Sequence, residues 1–148
     1  MARIALAFGM AFAALACATP IGERELEERL ASVAAVSPGA HPRVFPVWAG
    51  TRLAAWTLLA DARGDPRSPE SLRLGHAISR AATQPTTVVV GGPYADLSDQ
   101  IVRNALEMHG ERALGRLTIV LVGPEPPSAE LSAALARAGA RIQHRPLE

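Results

Sequence analysis

Two uninterrupted apolar runs, Thr86 to Gly91 (TTVVVG) and Leu117 to Gly123 (LTIVLVG), constrain this chain more than anything else in it. Neither alternates with polar residues, so each predicts a strand covered on both faces rather than one with a wet side. Each leads into a Gly-Pro step (Gly92-Pro93 and Gly123-Pro124), passes through a polar loop and enters a helical pattern. The first pattern covers Asp96 to His109, with Leu97, Ile101, Ala105 and Met108 on one face, and Gly110 ends it. The second covers Ser128 to Ala138, capped by Ser128 and stopped by Gly139, with Leu131, Ala134, Leu135 and Ala138 inward. A more polar strand, Arg141 to Leu147, completes the order β-α-β-α-β. That order predicts parallel strands joined by right-handed crossover helices.

The N-terminal half is mixed. Glu23 to Val36 predicts an amphipathic helix with Leu26, Leu30 and Val33 on one face, free either to lie on the domain or to contact a partner. Glu23, Glu25, Glu27 and Glu28 suit the positive end of its dipole. Arg43 to Trp48 predicts a short strand that Pro46 confines to an edge. Thr51 to Ala62 permits either a helix capped by Thr51 or a strand paired back on residues 43–48, and its alanine content favours the helix. Arg63-Gly64-Asp65-Pro66-Arg67 is turn chemistry, and its RGD triplet needs no further reading. Ser68 and Pro69 then open a helix that runs to about Ala82. The expected fold is a small three-layer α/β domain over residues 23–148. Its C-terminal half is a parallel βαβαβ unit of the flavodoxin-like or Rossmann-like kind.

In such sheets ligands bind where loops leave the carboxyl ends of the strands. Here those loops are Gly91-Gly92-Pro93-Tyr94-Ala95-Asp96 and Gly123-Pro124-Glu125-Pro126-Pro127. Gly91 and Gly92 would let backbone approach a ligand. Tyr94, Asp96, Ser98 and Asp99 form the densest polar cluster, so these six residues are the candidate ligand contacts. The simpler role for Asp96 and Asp99 is a helix cap and a first-turn acid, with Asp99 reaching back to the Asp96 backbone. Neither G-x-G-x-x-G nor G-x-x-x-x-G-K-[ST] occurs, and two acids at that helix start oppose a phosphate. Ser98 lacks a G-x-S-x-G elbow.

Other chemistries find little footing. His41, His76, His109 and His144 stand singly, none in a close ligand pair, so no metal site and no cofactor is expected. Phe45, Trp48 and Trp56 are expected in the core of the N-terminal half, a partner-binding patch being the alternative. All 15 basic residues are arginine, spread singly and balanced by 14 acids. A duplex binder needs a clustered basic surplus, so no nucleic-acid partner is expected.

The first seventeen residues, MARIALAFGMAFAALAC, read as an export signal. Arg3 gives the positive start, Ile4 to Leu15 is uncharged and apolar, and Ala14-Leu15-Ala16 precedes Cys17, the chain's one cysteine. The pattern resembles the signal of bacterial lipoproteins, departing from it in having Ala14 three places before the cysteine, where Leu is usual. The resemblance implies cleavage of residues 1–16, lipidation of Cys17 and a tether over 17–22. With Ala18 rather than Asp following, it also implies anchoring in the outer membrane, facing the periplasm. Cleavage after Ala18 would instead give a soluble periplasmic protein. An uncleaved anchor is a third course, although 15 apolar residues fall short of the roughly 20 that span a bilayer. The expected role is a binding or accessory subunit with the membrane, and an envelope protein, as partners. The alternative is a small exported hydrolase working at the strand ends.

Overall fold

The computed structural model describes residues 21–39, 41–110 and 114–148; the predicted signal and Cys17 lie outside the described residues. In chain order the elements are α1 (Glu23–Ala35), β1 (Arg43–Pro46), α2 (Arg52–Gly64) and α3 (Pro69–Ser79), which ends in a 3-10 turn at Arg80–Ala82. There follow β2 (Thr86–Gly91), α4 (Ala95–Glu107), β3 (Leu117–Gly123), α5 (Ala129–Ala138) and β4 (Arg141–Pro146).

The four strands are all parallel and lie in the order β1-β2-β3-β4. The apolar runs become the two central strands, with Thr86 opposite Leu117 and Gly91 opposite Val122. Every crossover steps in the same direction, so right-handed connections put α2, α3, α4 and α5 on one face of the sheet. Side-chain alternation agrees. Val88, Val90, Ile119 and Leu121 pack into that helical layer, whereas Val89, Val120 and Val122 meet Leu26, Leu30 and Ala34 of α1 on the other. The result is three layers. The order never reverses, unlike that of doubly wound sheets, so the crevice that a reversal opens at the strand ends is not formed.

The first helix therefore has a structural task. Leu26 and Leu30 are wholly buried, each contributing about 1.5–3 kcal/mol of apolar transfer, and without them the valines of β2 and β3 would face water. β4 is an edge strand with Arg141, Gln143 and Arg145 exposed and Pro146 at its end, features that discourage further strand pairing.

Residues 51–62 fall within a helix and its cap, as alanine content favours. Thr51 Oγ1 accepts the Ala54 N–H at 3.1 Å, so the predicted cap holds. Its burial departs from expectation. Ala55, Leu59 and Ala62 face the core, leaving Leu53 71% and Trp56 58% exposed. Trp48 is also 36% exposed, so of the three N-terminal aromatics only Phe45 packs against the core. α2 is apolar around most of its circumference, and the stripe that turns inward is the one with small residues, Ala55 and Ala62 beside Leu59.

Candidate functional site

The carboxyl edge of the sheet gathers the loops after β1, β2 and β3 with the N-termini of α4 and α5. A groove of about 330 Å³ lies there, lined by Arg63, Asp96, Asp99, Arg103, Glu125 and Glu130 among others. Asp96 and Asp99 are thus brought together as expected. Gly91, Gly92, Tyr94 and Ser98 are not among the residues lining the groove.

The two glycines have a packing reason. A Cβ on Gly91 would overlap the Val122 carbonyl, and one on Gly92 the Val47 carbonyl. Their backbones are also engaged, since Gly91 O accepts the Val47 N–H at 2.8 Å and the Gly92 N–H donates to Val122 O at 3.1 Å. The close approach predicted for a ligand is filled by the protein's own neighbouring strands.

α4 begins one residue before the predicted start. Tyr94 is the N-cap and is half-buried against the core, with no capping bond from its side chain. Asp96 is exposed, and its Oδ1 accepts the Leu97 N–H at 3.0 Å. Ser98 is buried, and its Oγ has no partner among the described residues.

Asp99 does not reach back to Asp96. It turns toward α5, where Oδ1 accepts the Ser128 N–H at 3.1 Å and Oδ2 the Ser128 hydroxyl at 2.9 Å. Ser128 Oγ in turn accepts the Leu131 N–H at 3.0 Å. The carboxylate therefore holds the residue that caps α5, and its negative charge sits at the positive end of that helix dipole. Arg103 Nε lies 3.2 Å from Asp99 Oδ2, an ion pair without hydrogen-bond alignment, while Nη1 reaches Glu130 and Nη2 reaches Gln100.

This chain of contacts continues inward, and sequence reasoning missed it. Gln100 donates to Asn104 Oδ1 at 2.8 Å. Asn104, 1% exposed, donates through Nδ2 to Ala62 O at 2.7 Å and lies 3.3 Å from Ser71 Oγ. Ser71 meets Ser68 at 2.8 Å, so Ser68 serves this network rather than capping α3 through its side chain. The network joins α2, α3, α4 and α5. Asn104 falls one residue before Ala105 in the predicted apolar face, the one signal that this position looks inward.

Two histidines are held by backbone: His109 Nε2 lies 2.8 Å from Gly75 O, and His144 Nε2 lies 3.1 Å from Gly123 O. His144 is half-buried at the carboxyl edge. Among the described residues no three His, Cys, Asp or Glu side chains gather where they could hold a metal ion. No helix among the described residues is long and apolar enough to cross a membrane. What the edge offers chemically is a shallow groove whose most buried acid is engaged in holding a helix. Comparison with protein-family models, curated protein sequences and solved structures returns no match.

Proposed function

We propose that this chain is an envelope lipoprotein, anchored through Cys17, whose α/β domain acts as a binding or accessory subunit. The observation that carries the reading is the outer face of α2, where Leu53 and Trp56 stand in water with Ala60 on the same helical side. Large apolar side chains at helical spacing on an outer surface mark a contact surface more often than a catalytic one. Two polar groups at the strand ends that a hydrolase could use are drawn into internal bonds. Asp99 holds Ser128 and His144 holds the Gly123 carbonyl.

Two measurements test it. Cells producing the full chain should hold it in the membrane fraction, with a lipid-modified Cys17 as the first residue by mass spectrometry. The Cys17→Ser variant should leave that fraction. A native chain that begins at Met1 or Ala2 and stays in the cytosol refutes the anchor. For the contact surface, a photo-reactive residue in place of Leu53 should form adducts in intact cells, and one in place of Arg80, exposed at the opposite edge of the sheet, should not. Equal labelling at both positions refutes the surface.

A further inference from the structure

We infer that the occupant of this surface is the bilayer itself: the carboxyl edge of the sheet seats on lipid, with Trp48, Leu53 and Trp56 at the level of the headgroups. The inference rests on the reading of Cys17 as the lipidated residue and deepens it by naming what the outer face of α2 touches.

Three observations converge. The first is where the domain's root lies. Trp48 Nε1 donates to Ile21 O at 3.0 Å, which fixes the residue before Gly22 and α1 beside the loop leaving β1. β1 ends at Pro46, opposite Gly91 at the end of β2, so that root belongs to the carboxyl edge. The second is reach. Cys17 and Ile21 are four residues apart, a leash of at most about 14 Å when fully extended. A domain held so closely cannot lift this edge far from the surface in which its acyl chains are buried.

The third is the chemistry presented there. Both ends of α2 are tied to the same edge. Thr51 follows Trp48 by three residues, and Arg63 lines the groove with Asp96 and Ser128. The outward side of the helix carries Leu53 and Trp56, flanked along that side by Arg52 and Arg63. Indoles prefer the boundary between water and hydrocarbon, where the ring is apolar and the N–H stays satisfied; that of Trp48 already is. Arginines beside them can bury their stems and pair with lipid phosphates.

The chain has only two tryptophans, so Trp48→Phe and Trp56→Phe each leave one reporter. Each lipidated full-length variant is reconstituted into phosphatidylcholine vesicles with or without brominated acyl chains, and the mass of its N-terminus is measured on the same sample. The expected result is loss of emission from both Trp48 and Trp56 in the brominated vesicles, and partial recovery at Trp48 when Leu53→Glu is added. Leu53 is exposed, so this last change leaves the fold intact should Trp48→Phe disturb the bond to Ile21. A lipidated Cys17 with both indoles unquenched overturns the docking and leaves the anchor standing. An unmodified Cys17 with no vesicle binding overturns both. Shielding of Trp56 from acrylamide by added envelope proteins, without quenching by brominated lipid, overturns the lipid surface in favour of a protein occupant.

Discussion

Replacing Asp99 by alanine separates a structural carboxylate from a catalytic one. The side chain is almost buried, 7% exposed by residue, and makes two charge-assisted bonds to Ser128 together with the ion pair to Arg103. A hydrogen bond to a charged group is worth about 1.5–3 kcal/mol. Both bonds go to one residue at an exposed loop end, where water can replace part of what is lost, so the loss falls at or below the bottom of the roughly 3–6 kcal/mol that two independent bonds would add. Asp99→Ala should therefore cost about 2–3 kcal/mol. For a chain of this size that lowers the thermal midpoint by roughly 8–12 °C. Urea and thermal unfolding of the full-length chain carrying Cys17→Ser, followed by circular dichroism, give the number. Ser128→Ala in a double-mutant cycle should show a coupling of about 1 kcal/mol or more, because the two residues form one cap. Stability unchanged within about 0.5 kcal/mol, with no coupling, would refute the cap and return Asp99 to the pool of groups free for chemistry.

Two further substitutions probe the same edge and the network behind it. Gly92→Ala should cost about 4 kcal/mol or more, since its Cβ meets the Val47 carbonyl and neither backbone can yield without breaking the bonds of β2; a soluble variant with unchanged unfolding would refute that packing. Asn104→Ala should lower stability by about 2–3 kcal/mol by orphaning the Ala62 carbonyl and the Gln100 amide, read as a shift of the urea midpoint at constant slope.

The parallel C-terminal half was legible because its signals are local and redundant. Unbroken β-branched runs mark doubly covered strands, and the Ser128 cap and the Gly139 stop both stand where the residue types put them, Gly139 with a left-handed φ of 73°. Strand order was not legible, because every parallel arrangement of these strands uses the same local patterns. Nor could the sequence say which stripe of α2 turns inward. Leu53-Trp56-Ala60 and Ala55-Leu59-Ala62 are both apolar at helical spacing, and the choice between them is made by tertiary packing. Of the six residues named as candidate ligand contacts, Asp96 and Asp99 line the groove at the carboxyl edge. Sequence reasoning assigned Asp99 to its own helix start because the partner that claims it, Ser128, lies 29 residues downstream. Long-range pairing of that kind leaves no periodic trace.

The placement of α1 bears on how the molecule is made. Leu26 and Leu30 emerge early in synthesis, yet the floor on which they close includes Val120 and Val122, near the far end of the polypeptide. Until those valines arrive and β3 aligns with β2, the opening helix has no complete surface to rest on and its leucines remain uncovered. Formation of the native state is thereby deferred until most of the chain is available, as a fold built on contacts between distant segments requires.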